Sequence, residues 1–216
     1  MKNAIIYLHG FNSASLDLSG NLLATKQKLV VLDRFCQQHQ IKFCTPNVDY
    51  RDFEQLISDL TQIFVDLEAE GYTVLFMGSS LGGFISEYMA MKTQTQAIMI
   101  NPAISPSELL VQFIGVSENF EIKQAFEWNK VHCEQYVFYE NELKHQAGSE
   151  IKRVVLLDMA DELLDSAKTF EKYQHIAEVV CFQGGSHGFD HIEQALPVIK
   201  KTIYTQNKLE IHKAAS

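Results

Sequence analysis

Gly78-Ser79-Ser80-Leu81-Gly82 is the stretch in this chain whose residue types and spacing best suit covalent chemistry. It follows the apolar run Thr73 to Met77 and precedes the apolar stretch Leu81 to Lys92, so Ser80 falls at a sharp strand-to-helix turn that holds its hydroxyl clear of a sheet. Glycines two residues to either side let a strand and a helix approach without a Cβ clash. A serine hydroxyl is a poor nucleophile near neutral pH; it needs an imidazole to take its proton, and the imidazole needs a partner that fixes its tautomer. His187 lies in a glycine-rich loop, Phe182-Gln183-Gly184-Gly185-Ser186-His187-Gly188-Phe189, directly after the last strand-like run. His191, four residues on, is its competitor. His39, His145, His175 and His212 lie in polar stretches, and His132 lies in an irregular middle segment. For the acid, the run from Val154 to Asp165 turns over at the end of a strand. Asp161 is the first choice. Asp158 is expected to sit too near the strand end to turn toward the His187 imidazole, and Asp165, after Leu163-Leu164, is expected to cap the next helix.

Nucleophile, acid and histidine in that order along the chain follow the α/β-hydrolase arrangement. The first apolar run, Ala4 to Leu8, ends in His9-Gly10-Phe11-Asn12-Ser13, where that arrangement carries a loop lending a second amide to an oxyanion hole. The expected donors are the backbone N-H groups of Leu81 and Phe11. Gly10 lets the loop bend inward, and His9 is expected to orient it by hydrogen bonding rather than to act as a base.

These residues need a scaffold, and the hydrophobic pattern supplies one. Ala4 to Leu8, Ile41 to Cys44, Thr73 to Met77, Ala97 to Ile100, Val154 to Leu157 and Val179 to Phe182 are near-continuous apolar runs, as expected of strands covered on both faces. Between them, Phe53, Leu56, Ile57, Leu60, Ile63, Phe64 and Leu67 recur at helical spacing, with Gly71 at a C-terminal cap position. The pattern predicts an α/β fold: a doubly wound, mostly parallel six-stranded sheet in one domain over residues 1–204. A mostly helical insertion at about 104–150 is expected to arch over the site, since strict alternation lapses there. A last helix is expected from about Phe189 to Tyr204, kinked or split at Pro197, and a polar tail over 205–216.

With 18 Lys+Arg against 27 Asp+Glu, the formal charge is -9, which offers no basic stripe to nucleic acid or acidic lipid. Ala4 to Leu8 is too short for a signal-peptide core, and no stretch is long and apolar enough to span a bilayer. Cys36, Cys44, Cys133 and Cys181 show neither paired spacing nor disulfide-scaffold density, so reduced, mostly buried thiols and a cytoplasmic location are expected. No cluster has metal-ligand spacing and no loop matches a phosphate or dinucleotide fingerprint, so neither a metal nor a cofactor is expected. Oligomeric state is not legible from these features.

Five stretches together resemble the YqiA/YcfP-like small esterases, a branch of the α/β-hydrolases. They are Tyr7 to Ser13, Gly78 to Gly83, Asn101-Pro102-Ala103 with Pro106 and Glu108-Leu109-Leu110, Asp161 to Asp165, and Gly184 to His187. They span nearly the whole chain in order. The resemblance implies a single-domain bacterial esterase with a triad on Ser80, Asp161 and His187, acting on carboxylic esters or acyl thioesters. The chain departs from that pattern at Ala160, where glycine is usual, and in a longer stretch after Ser13. On the same fold and motif, a silent binding module and an acyltransferase are the rival readings.

Overall fold

The computed structural model describes residues 2–145 and 151–214, the side chains of 206–214 excepted. Six strands form one wholly parallel sheet: β1 (Lys2–Leu8), β2 (Ile41–Cys44), β3 (Tyr72–Ser79), β4 (Gln96–Ile100), β7 (Arg153–Asp158) and β8 (Glu178–Phe182), in the order β2-β1-β3-β4-β7-β8. Each lies within two residues of its expected run. β5 (Gly115–Glu118) and β6 (Ala125–Trp128) make a separate antiparallel hairpin.

Why the central strands read as unbroken apolar runs is plain from the two cores. Ile6, Leu8, Phe76 and Met99 point to one face, and Tyr7, Leu75, Met77 and Ile98 to the other. The first face is covered by α2 (Phe53–Ala69), α3 (Leu81–Thr93) and α5 (Lys130–His145); the second by α1 (Gln27–Gln38) and α7 (Ile192–Ala214). Strand residues of either parity are therefore buried. α3 runs through the middle of its core with Leu81 to Met91 all buried, which is why its sequence is apolar all round. α2 starts at Asp52, whose side chain accepts from Gln55 N-H at 3.0 Å. It ends as expected before Gly71, which takes φ 82°.

The chain leaves β1 toward β2 on one side and returns to β3 on the other, so the crossover direction reverses between β1 and β3. The carboxyl ends of those two strands flank the crevice where open α/β sheets bind ligands. The loops at His9 and Ser80 leave from them.

Three expectations change. The insertion holds a strand pair besides its helices: after α4 (Pro106–Leu109) and a 3-10 turn (Leu110–Phe113) comes the β5–β6 hairpin, and then α5. The hairpin lacks an Asn-Gly signal; its turn is held instead by Asn119, whose Oδ1 accepts from the N-H groups of Glu121 and Ile122. The end of the insertion at 146–150 lies outside the described residues. The last helix begins at Ile192 and is not split at Pro197. Phe189 is in a buried turn at φ 66°, and the helical backbone passes 204; the side chains of 206–214, His212 among them, and residues 215–216 lie outside the description. The cysteines are all free, but only Cys36 and Cys133 are buried, because β8 is an edge strand and leaves Cys181 exposed. Among the described residues no helix is long and apolar enough to cross a membrane.

A buried ion pair ties α3 to the sheet and to α6 (Ser166–Tyr173). Arg153 Nε donates to Glu87 Oε1 at 2.8 Å, and the Tyr173 hydroxyl donates to Glu87 Oε2 at 2.6 Å. Removing one ion leaves the other uncompensated in a medium of low polarity. Arg153→Met is therefore expected to cost about 3–5 kcal/mol in urea unfolding, and Glu87→Leu added to it should restore much of the loss. A single-variant cost within experimental error of zero would contradict this account of how α3 is held.

Candidate active site

Ser80 joins β3 to α3 at φ 54° and ψ -121°, a conformation that costs a non-glycine residue about 1–3 kcal/mol. The neighbouring backbone enforces it. Ser80 N-H donates to the carbonyl of Ile100 at 3.0 Å, and its own carbonyl accepts from Gly83 at 2.9 Å and from Ala103 at 3.1 Å. A Cβ on Gly78 would lie 2.2 Å from the Gly82 carbonyl oxygen, and one on Gly82 would lie 2.2 Å from that of Leu8. Glycine alone permits the turn, and the turn sets the Ser80 side chain on the wall of a cleft of about 1010 Å³.

His187 lines the same cleft. Its Nδ1 is 2.8 Å from Asp161 Oδ2. Oδ1 of Asp161 accepts from the N-H groups of Leu163 at 2.8 Å and Leu164 at 2.9 Å. Burial works against charge on Asp161, but the His187 bond and those two amides outweigh it and hold the carboxyl below the usual carboxylate range. An ionised Asp161 accepts Nδ1–H and leaves Nε2 as the free basic nitrogen. Among the described residues Ser80 makes no hydrogen bond to His187. Proton transfer between them thus requires the ring to close onto the hydroxyl, a tightening common when such sites bind ligand. Asp165 is placed away from the ring: it caps α6, accepting from Lys168 N-H at 3.1 Å.

Asp158 has a part that the sequence does not announce. It ends β7 fully buried and bonds a different imidazole, that of His191, whose Nδ1 is 2.7 Å from Oδ1. Its Oδ2 accepts from the amides of Asp190 at 2.7 Å and Ser186 at 3.2 Å. The chain comes so close here that a Cβ on Gly185, at φ 76°, would sit 2.0 Å from that oxygen. Asn101 works from the other side: its Oδ1 accepts from Asp158 N-H at 2.9 Å, and its Nδ2 donates to the Ser186 carbonyl at 3.0 Å. Asp158 and Asn101 are positioning residues for the His187 loop. The available signals were an acid at a strand's carboxyl end and an asparagine able to take the left-handed turn it adopts at φ 40°.

His9 is buried and fixes the opposite wall. Val48 N-H donates to Nε2 at 3.1 Å, so Nδ1 carries the proton and faces the Gly10 carbonyl at 2.8 Å. Burial foremost pushes the imidazole down to about 4, the Gly10 carbonyl opposing and Lys26 adding repulsion. The Tyr50 hydroxyl also donates to the His9 carbonyl. Phe11 then packs against Trp128, with ring centres 4.7 Å apart, and against Phe113 at 5.1 Å. The hairpin turn closes over the loop through Phe120 N-H to the Asn12 carbonyl at 2.8 Å. Phe11 and Leu81 both line the cleft, and neither backbone N-H donates to a backbone acceptor among the described residues. Leu109, Leu110, Phe113, Phe120, Leu163 and Leu164 give the cleft an apolar side.

Comparison with known proteins gives three results. The model of a family described as "Uncharacterised protein family (UPF0227)" matches residues 4–203. A UPF0227 protein of Vibrio parahaemolyticus is 25% identical over 199 residues, covering 91% of this chain and 97% of its own. The UPF0227 protein YcfP of Escherichia coli O9:H4 is 26% identical over 202 residues, covering 91% and 96%. Among solved structures, Est1E of Butyrivibrio proteoclasticus with bound ferulic acid superposes with a TM-score of 0.67 at 15% identity, covering 95% of this chain and 90% of its own. The fluorophosphonate-binding serine hydrolase FphF of Staphylococcus aureus gives 0.65 at 15%, covering 94% and 85%. The fold is that of the α/β-hydrolases.

Two measurements probe how the site is held. In Asp158→Ala, amide exchange at Ser186 and Asp190 is expected to quicken by about 10- to 100-fold, the loss of one or two buried hydrogen bonds; unchanged exchange by NMR would show that other contacts hold the loop. For His9, the folded imidazole is neutral between about pH 4 and the unfolded value of 6.5 while the unfolded one binds a proton. Its stabilising effect is complete above pH 6.5 and is lost as pH falls toward 4, on the order of 3 kcal/mol in all. The Tm of the wild type should therefore drop more steeply over that window than the Tm of His9→Gln, and parallel curves would contradict the assignment.

Proposed function

The chain belongs to the UPF0227 family, and from that premise we propose that it is a serine hydrolase cleaving small-molecule acyl esters or thioesters through an acyl-enzyme on Ser80. One observation carries the reading: a serine held at positive φ on the wall of a cleft shared with His187, whose Nδ1 is 2.8 Å from Asp161. The fold neighbours include proteins named as esterases and serine hydrolases, which supports the reaction class. The free cysteines accord with work in a reducing cytoplasm.

In the first half-reaction His187 Nε2 takes the Ser80 proton as Oγ bonds to the acyl carbon. The carbonyl electrons move onto oxygen, where the Leu81 and Phe11 amides receive the charge. Asp161 stays ionised and stabilises the imidazolium. As the carbonyl re-forms, the bond to the alcohol or thiol breaks and His187 returns the proton to that leaving group. Water then repeats the sequence: it gives a proton to His187, attacks the acyl carbon, and releases a carboxylic acid and free Ser80. The apolar side of the cleft suits an acyl chain or aryl group.

Ser80→Ala is expected to lower kcat/KM on short para-nitrophenyl esters by at least about 1,000-fold, with an unchanged thermal melt. Asp161→Asn should fall by a comparable order because the ring would take the wrong tautomer. Full activity in a folded Ser80→Ala protein would end the proposal.

A further inference from the structure

The cleft has a second side that the reaction above does not use. Below Ser80, on the α1 and α7 face of the sheet, it is lined by Tyr7, Thr25, Lys28, Ser79 and Asp190. Lys28 is half-buried there, and its Nζ donates to Ser79 Oγ at 2.7 Å. The Tyr7 hydroxyl lies 2.8 Å from the same Oγ. Among the described residues no carboxylate lies within ion-pair distance of Lys28. Lys26, by contrast, is paired with Glu121 at 2.6 Å and donates to Ser13 Oγ at 2.9 Å.

An ammonium with three donors and one hydroxyl partner, beside the nucleophile and open to the cleft, is short of both charge and acceptors. We propose that Lys28 is a specificity residue that receives a carboxylate of the substrate, so that the ester cleaved at Ser80 carries one free carboxylate besides the scissile group. This rests on the hydrolase reading and names its substrate class. A single negative charge is the match. Lys26 is already neutralised by Glu121, and a dianion would carry its second charge toward Asp190 with no free cation to meet it. The apolar side of the cleft takes the rest of the molecule.

Burial foremost, with repulsion from Lys26, pushes the Lys28 ammonium down to about 7, while Asp158, Asp161 and Asp190 pull it up. A carboxylate bound against it offsets that burial and restores the charged form.

Two matched ester pairs test the inference through kcat/KM corrected for uncatalysed hydrolysis. Mono(para-nitrophenyl) adipate against para-nitrophenyl hexanoate puts the carboxylate on the acyl side. Meta-butyryloxybenzoate against meta-butyryloxybenzamide puts it on the leaving side. In at least one pair the carboxylate should be preferred by about 10-fold or more, the worth of a charge-assisted hydrogen bond. That ratio should fall to near unity in Lys28→Met and persist in Lys28→Arg. No preference in either pair, or a preference that survives Lys28→Met, overturns the inference. Calorimetric titration of the monoanions monomethyl adipate and meta-hydroxybenzoate into Ser80→Ala protein reads the same recognition without turnover, and the added Lys28→Met change should abolish it. If no ester is cleaved yet one of these anions binds through Lys28, the hydrolase reading fails and the anion site stands. If esters are cleaved but neither anion depends on Lys28, the reverse holds.

Discussion

At the turn between β3 and α3 three pieces of backbone approach so closely that no Cβ fits at Gly78 or Gly82. That closeness, more than any side-chain contact, sets the rest of the site. It forces Ser80 to positive φ, brings the carbonyls of Leu8 and His9 against the start of α3, and aligns the loop after β1 with the loop after β3. A strained serine survives because β4 and the loop after it over-determine it, through the Ile100 carbonyl and the Ala103 amide. The sheet contributes by stacking fully buried strands in fixed parallel register, with Ser79 beside Ile100 and Leu8 beside Gly78.

The second wall depends on a buried carboxylate. Asp158 gathers two amides and the His191 ring, and Asn101 links it to the Ser186 carbonyl, so the loop bearing His187 is pinned before Asp161 engages the ring. Two aspartates three residues apart thus divide the labour. One shapes the loop's backbone, and the other holds the imidazole that the backbone presents. The two histidine-aspartate pairs look alike in chemistry and differ in place: His187 opens on the cleft with Ser80, while His191 stacks on Phe182 with ring centres 5.2 Å apart.

How much of this could be read from residues alone follows a physical line. Strands buried on both faces announce themselves as apolar runs, and α2 declares its end through Gly71. The turn at Ser80 is legible because only glycines fit around it. Short elements were not: the hairpin at 115–128 alternates over only four residues a strand and lacks a glycine turn, and α1 begins at Gln27 with no side-chain cap. The part Asp158 plays is not legible because its partners depend on how far the loop at Gly185 bends back toward β7, a tertiary fact with no local signature. Lys28 was invisible for the same reason. A lysine in a polar stretch looks like any solvated residue until Ser79 and the cleft are seen beside it.

The central claim is convergence of Ser80, His187 and two backbone amides on one reacting centre. A crystal structure of the protein after treatment with a fluorophosphonate tests it most directly. The account predicts a phosphonyl group on Ser80 Oγ, its phosphoryl oxygen within hydrogen-bond reach of the Leu81 and Phe11 N-H groups, and His187 Nε2 turned to the modified oxygen with Asp161 still on Nδ1. An unmodified Ser80, or an adduct whose phosphoryl oxygen points away from both amides while the imidazole faces solvent, would contradict it.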